Sequence, residues 1–563
     1  RALPGARAHL SLAPDPEATE PAVDLFVEGP EGIYAHGVAI ATFDPRTGAT
    51  FWIVDPFRLI AMALGEPVRP VPDVATLNGR RLFFATVGSE GWLSAAPTLD
   101  FGQEPMIAAE ILRDRVIVPH SDLPQTVAVL AGDLGAPTAR AAAAQIFSQR
   151  QAQIGSNGDS MIRNWGFFER YDRATELRQI DEFVASRGDA ADALMNIAVR
   201  NLEDAFARIG TAADLAPNAP RKYTGTSFDL DRETTGALAA VERLAPAGKR
   251  ASAYIWTGNA HPFTAAMARV REAGYPAIGG GGGVYNPFAP SLSNLWPFGA
   301  SIGSELQVYN ALSGDDAYTG FWTGPMQGFH MLAQTVAATE TPRRLKPFHL
   351  SYNAQSMIDH ATRSAVLKAL ELARSEPVIP VAATDYIRIV EGFWTFRAEA
   401  DGPNRWRILN RGDLQTVRFD NAAGLALDME ESRGVLGARR KGDALYVALL
   451  PTAEEPLVAL TGDDGEAMRR DPARLGLIES RLWIDTLEET ACGLVFQAGG
   501  WGAGAMTWAA PAATTYRFVI ENEETAGGII QDVNVASDAD GRLRLVFPPL
   551  QGQSVTVRLG TGC

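Results

Sequence analysis

Seven histidines are the only imidazoles in this chain of 563 residues: His9, His36, His120, His261, His330, His349 and His360. A hydrolytic zinc draws on two or three of them plus a carboxylate, commonly spaced along one helix face. No two of the seven stand at such a spacing. The groups left for acid–base work are Glu90, in Thr86-Val87-Gly88-Ser89-Glu90-Gly91, and Asp159, in Ser156-Asn157-Gly158-Asp159-Ser160-Met161. His120, in Val118-Pro119-His120-Ser121-Asp122, and His261, in Asn259-Ala260-His261-Pro262, follow expected element ends. Gathered at one cleft, Glu90, Asp159 and either His120 or His261 would make a metal-dependent hydrolase or deacetylase, the one reading with zinc as cofactor. Left apart, Glu90 and Asp159 make a polar floor, and both histidines are ordinary surface or core residues.

Binding without chemistry has its own candidates. Trp165, Trp256, Tyr285, Trp296, Tyr309 and Trp322 fall in or beside loops that follow expected strands, where an aromatic face stacks on the apolar face of a sugar ring. Each is equally readable as a core aromatic, Trp256 most of all because it ends a strand. The run Gly279 to Gly283 suits close backbone approach to a ligand or partner, or a flexible loop. Trp501, in Gly499-Gly500-Trp501-Gly502-Ala503-Gly504, reads as a contact point or as part of a tight turn.

The elements that must position these groups alternate. Leu82 to Val87, Thr126 to Ala131, Ala152 to Gly155, Ala251 to Trp256, Ala277 to Gly280, Phe348 to Tyr352 and Val378 to Ala382 read as strands. Helical patterns lie between them: Glu104 to Arg113, Thr138 to Ser148, Ala190 to Arg208, Asp231 to Arg243, Thr264 to Ala273, Gln327 to Ala337 and Ile358 to Arg374. Asp229 or Asp231 supplies the cap of the fourth. Such alternation implies a parallel sheet with crossover helices.

Upstream, Arg1 to Ala22 has no apolar periodicity and reads as a poorly ordered lead-in. His36 to Phe43 and Ala49 to Val54 read as a hairpin across Asp44 to Gly48. Beyond Arg397, short alternating runs such as Thr416 to Phe419, Ala444 to Leu450, Thr515 to Ile520, Leu543 to Phe547 and Ser554 to Leu559 read as a β-sandwich. The expected units are 1–70, a small α+β segment; 71–396, a β/α barrel; and 397–563, an all-β sandwich open to a carbohydrate-associated role.

Composition narrows the partners. Hydrophobic residues make up 46% and charged residues 21%, a globular balance, and the net charge is −16 with no basic run. Nucleic acid and anionic lipid are therefore excluded as expected partners, and no apolar stretch has the length of a membrane span. The chain starts at Arg1, which fits a processed export signal or a trimmed terminus. Cys492 and Cys563 are its only cysteines. Bonded, they would suit an oxidising compartment; unpaired thiols are the alternative.

Several stretches carry a resemblance. Pro70-Val71-Pro72-Asp73, Asn78-Gly79-Arg80-Arg81, Tyr254-Ile255-Trp256-Thr257-Gly258-Asn259, Trp322-Thr323-Gly324-Pro325, Leu306-Gln307-Val308-Tyr309, Thr341 to Pro347 and Ser351-Tyr352-Asn353 together resemble the polysaccharide deacetylase domain of the Pel exopolysaccharide system. The resemblance covers residues 65 to 400 and implies a distorted (β/α)7 deacetylase-like barrel, with its site at the C-terminal rim of the strands.

What the resemblance lacks is the catalytic set. The family carries a segment resembling His-Ile-Asp-Gly-Asp-Gly after its first strand; here the two acids correspond to Gly88 and Glu90. The family's Ser-His-Thr-x-Ser-His appears as Ser156 to Met161, with Asn157 and Met161 in place of imidazoles. A thioether is a soft ligand unsuited to hydrolytic zinc. The family's Asn-Gly-Gly-Asp-Thr-Arg becomes Gly279 to Val284, with Gly282 for the acid, and Tyr-Tyr-His becomes Ser351-Tyr352-Asn353, whose Asn353 donates no proton at neutral pH.

One shifted register would not explain four separate losses. The expectation is a catalytically degenerate, exported protein of the bacterial periplasm or cell surface, without a cofactor. It would bind an amino-sugar polysaccharide or dock an envelope assembly partner. A relocated active site and a purely structural protein–protein module are the alternatives.

Overall fold

The computed structural model describes residues 4–13, 22–45, 49–65, 67–96, 106–182, 219–283, 285, 291–312, 328–341, 344–462, 465–469, 474–522 and 528–561. The chain is mixed α/β with a sheet-rich C-terminal portion.

Seven parallel strands position the candidate residues: β1 (Arg80–Gly88), β2 (Gln125–Val129), β3 (Ala152–Ser156), β4 (Ala251–Ile255), β5 (Ala277–Gly281), β6 (Glu305–Asn310) and β7 (Phe348–Asn353). Their order is β6-β5-β4-β3-β2-β1-β7, with Gly299–Ile302 running antiparallel beside β6. Nearly every residue of these strands is buried or half-buried, because helices cover one face while further core fills the other. A side-chain bridge brings the two ends of the path together: Ala311 N–H, just past β6, donates to Nδ1 of His349 on β7 at 3.2 Å.

All seven expected strands form where the pattern put them. The last, Val378–Pro380, is short and runs parallel to Arg81 to Phe83 at the start of β1. The parallel run also holds one strand the pattern did not mark, β6, whose Glu-Leu-Gln-Val-Tyr-Asn alternation is half-polar and reads weakly as a buried strand. Helices Pro137–Phe147, Thr264–Glu272, Phe329–Ala338 and His360–Ser375 match their expected spans. The expected helix 190–208 lies outside the described residues. Asp229 caps the segment at Arg232–Gly236, accepting from Arg232 N–H at 2.7 Å, while Asp231 pairs instead with Arg269 at 2.5 Å.

Two N-terminal expectations are corrected. Arg7–Leu12 is not a lead-in but a strand, paired with Val23–Gly29, which pairs in turn with Gly32–Ala35. Its Arg-Ala-His-Leu-Ser-Leu sequence does alternate polar and apolar, yet every residue is exposed; backbone pairing and the contacts Ser11–Asp24 (2.7 Å) and His9–Glu28 (2.8 Å) hold it. Within His36 to Phe43, Gly37–Ile40 forms one helical turn, with His36 accepting from Val38 N–H. The hairpin itself forms, Ala41–Asp44 against Ala49–Trp52.

Downstream, two sheets share one core. A five-stranded sheet contributes Ile408, Leu427 and Leu460; a ten-stranded sheet contributes Val417, Phe419 and Val447. The same cluster takes in Phe84, Ile255, Ile278 and Val308 of the parallel strands, and Tyr386, Ile387 and Val390 of helix Ala383–Thr395. Packing therefore runs continuously across residue 396, and Val71–Pro72 joins the C-terminal sheet as a partner of Val417 and Arg418. The expected strands at Leu543 to Phe547 and Ser554 to Leu559 are parts of one strand, Arg542–Gly560, which pairs with an equally long one, Gly493–Ala509.

Candidate functional site

The C-terminal ends of β1, β3, β4 and β7 converge, and their side chains consume one another. Parallel register sets Asn353 directly across from Gly88. A Cβ at position 88 would lie 2.1 Å from Oδ1 of Asn353, so the asparagine occupies the space an acidic side chain there would need. Asn157 is buried, and its Oδ1 accepts from the Ser89 N–H (2.7 Å) and hydroxyl (3.2 Å) while its Nδ2 donates to the Ile255 carbonyl (2.9 Å). It therefore staples three strand ends and has little left for a ligand. Glu90 is exposed on the loop after β1, where its backbone carbonyl accepts from Gln355 N–H at 2.7 Å. Met161 is half-buried in a left-handed conformation, φ 53°.

Asp159 is engaged by Arg232, whose Nε donates to its carboxylate at 2.9 Å. Beside it stands a carboxyl that sequence reading missed, Glu233, fully buried at the end of β3. Its Oε2 accepts from the Ser160 N–H (3.0 Å) and hydroxyl (2.5 Å), and its Oε1 from Asp159 N–H (3.1 Å). Burial pushes its pKa from 4.5 to about 7; the Ser160 hydroxyl opposes that rise and the Asp159 charge adds to it. Its signal was there in Asp229 to Glu233, but read only as a helix entry.

This carboxyl makes stability depend on pH. Between pH 4.5 and about 7 the unfolded chain has released a proton that folded Glu233 keeps. Stability therefore falls as pH rises through that window, by on the order of 3 kcal/mol, and is flat with respect to this group above it. Glu233→Gln is expected to abolish the slope and to cost about 1–3 kcal/mol, because its NH2 must face one of the two backbone N–H donors. Urea unfolding of both proteins across the window reads this out; parallel pH slopes would contradict it.

The histidines do not assemble a replacement site. His120 is buried in the helical layer, with Nδ1 donating to the Val116 carbonyl (2.7 Å) and Nε2 3.5 Å from Glu371. His261 is exposed. His349 is interior, stacked on Phe84 with ring centroids 4.1 Å apart. Because its Nδ1 accepts from Ala311, its Nε2 carries the proton and donates to Thr86 Oγ1 at 2.9 Å. Burial, with the Lys346 charge adding, holds its pKa down at about 3, so it is a neutral strut. Among the described residues no three His, Cys, Asp or Glu side chains gather as a metal set. The donors at the rim do not fit the zinc that the resemblance implies in its active members.

Gly279 to Gly283 is neither a loose loop nor an approach for a ligand. All five adopt positive φ, and the chain's own atoms crowd them: a Cβ would meet Trp256 at Gly279, the Tyr309 ring at Gly281 and the Asn294 carbonyl at Gly283. Gly282 contributes its carbonyl to Trp296 N–H at 3.0 Å.

The aromatics divide. Trp165 is buried, with Nε1 donating to the Thr257 carbonyl (3.1 Å), and stands edge-on to Trp256, itself buried, at 5.0 Å. Tyr309 is buried as well. These three are core, because they sit on or directly behind strand ends. Tyr285 is half-buried, its N–H on Thr335 Oγ1 at 2.9 Å, and Trp322 lies outside the described residues. Trp296 alone answers the expectation of an accessible ring: it is 41% exposed and edge-on to Tyr309 at 5.6 Å.

Trp296 lines a cavity of about 470 Å³ beside the seam between β6 and β7, with Trp52, Phe57, Phe298, Phe393 and Lys346 among its other walls. The N-terminal hairpin is fixed there by Trp52 N–H to Ser293 Oγ (2.9 Å) and Ser291 Oγ–H to the Trp52 carbonyl (2.7 Å). Trp52 and Phe393 stand far from Trp296 in sequence, so no local spacing could reveal this cavity. Trp501 proves to lie within strand Gly493–Ala509, buried, walling a second cavity of about 440 Å³ with Trp483, Asp385 and Asp485.

The pairing of Cys492 with Cys563 lies outside the described residues, which end at 561. Among those residues no helix is long and apolar enough to cross a membrane. The chain matches no protein-family model and no curated protein. Solved structures give distant likenesses: a GH30 endoxylanase from Clostridium papyrosolvens C71, at 9% identity over 88% of this chain and 100% of that one, TM-score 0.18; and a glucosidase from Croceicoccus marinus, at 10% identity over 88% and 99%, TM-score 0.18. Likenesses of this size bear on neither fold family nor function.

Proposed function

We propose that this chain is a non-catalytic polysaccharide-binding protein of a bacterial envelope or exopolysaccharide system, built on a scaffold of the Pel deacetylase kind. The observation that carries the reading is the aromatic cavity at the seam, where exposed Trp296, Trp52 and Phe57 offer ring faces around a volume of about 470 Å³. That volume suits one or two sugar rings, and aromatic walls with a few polar groups are the usual make-up of such sites. The rim supports the non-catalytic half: Asn353 fills the space beside Gly88, and Asn157 is spent on neighbouring strands.

Calorimetric titration of the full chain with oligosaccharides, alongside Trp296→Ala, tests the reading. The variant is expected to fold normally, since the ring is 41% exposed, and to bind roughly tenfold more weakly or worse, the factor that about 1.4 kcal/mol represents. Release of acetate from an N-acetylated polymer by zinc-supplied protein would overturn the reading in favour of an active deacetylase.

A further inference from the structure

We propose that the ligand of the seam cavity is an acidic sugar whose carboxylate is received by the Lys346 amine, rather than the amino sugar that a Pel-type scaffold implies. This rests on the glycan-binding reading of the same cavity. Three cations line it, and they differ in how they are satisfied. Arg344 is held by Glu340, with Nε at 2.8 Å, and by the Gly79 carbonyl. Arg418 is held bidentately by Asp420, at 2.7 and 3.2 Å. The one lining carboxylate, Asp73, accepts from Ala75 N–H (3.0 Å) and the Thr76 hydroxyl (2.6 Å) of its own turn.

Lys346 is only 4% exposed, and no carboxylate pairs with it among the described residues. Its amine donates to the Trp296 carbonyl and lies 4.7 Å from the centre of the Phe298 ring, so it is set between two walls of the cavity. A buried ammonium without a counter-charge is costly, and the apolar walls that make it so also strengthen its attraction for an incoming anion. Burial lowers this amine's pKa to about 7, and a bound carboxylate would raise it again. A glucosamine ring would bring a fourth positive charge to a cavity whose single carboxylate is already engaged.

The test compares oligosaccharides of equal length built on glucuronate, glucose or glucosamine, titrated into the full chain and into Lys346→Met. Glucuronate is expected to bind about tenfold or more tightly than glucose, as a charge-assisted contact warrants. The preference is expected to vanish in Lys346→Met while glucose binding persists. Equal binding of glucose and glucuronate, or preference for glucosamine, would overturn the acidic-sugar assignment while leaving the cavity a glycan site. Binding of none of the three would overturn both. The wild-type comparison decides by itself should the variant fail to fold.

Discussion

Gly281→Ala and Gly283→Ala are each expected to lower unfolding stability by about 2–5 kcal/mol, whereas Gly225→Ala leaves it within about half a kcal/mol. Two costs combine in the first pair. Gly281 and Gly283 hold φ of 62° and 109°, where an L side chain costs about 1–2 kcal/mol. Their new Cβ atoms would also stand 2.5 Å from Tyr309 Cβ and 2.1 Å from the Asn294 carbonyl, an overpacking worth about 1–3 kcal/mol more. Around Gly225 a Cβ meets nothing within 4 Å, and its φ is ordinary. Denaturant unfolding of the three variants measures the contrast. Near-equal stabilities would mean that the glycine run is loose after all, and would reopen a ligand role for it.

The second large effect is a coupling between Gly88 and Asn353. Gly88→Ala is expected to destabilise by about 1–3 kcal/mol, because its Cβ would lie 2.1 Å from Asn353 Oδ1. In an Asn353→Gly background the same change is expected to cost at least about 1 kcal/mol less, a non-additivity proper to side chains in contact. Additive costs would show that Asn353 does not fill the space beside Gly88, and would weaken the case for a closed rim.

Local pattern exposed the scaffold better than the site. Strands β1 to β5 and β7 are short, mostly apolar runs, four of them ending in Gly, Ser or Asn, and their alternation with helical stretches is readable directly. β6 is not, since Glu305, Gln307 and Asn310 dilute it; the side-chain amide of buried Gln307 donates to the Ala260 and Gly279 carbonyls, at 2.6 and 2.9 Å. Gly88, Asn157 and Asn353 can be read off the sequence, but that Asn353 stands across from Gly88 depends on strand pairing. Glu233 escaped notice because its donors, Asp159 and Ser160, lie on a loop 70-odd residues earlier in the chain. The seam cavity is the clearest case. Trp52, Trp296 and Phe393 come from a hairpin, a loop and a helix that only the tertiary fold brings together.

A crystal structure of the full chain with a bound oligosaccharide tests the central claim most directly. The account predicts a sugar ring stacked on Trp296 at the seam, within reach of Trp52 and Phe57, and an unliganded rim over Gly88, Asn157 and Asn353. A sugar or a zinc ion seated at that rim, with the seam cavity bare, would contradict it.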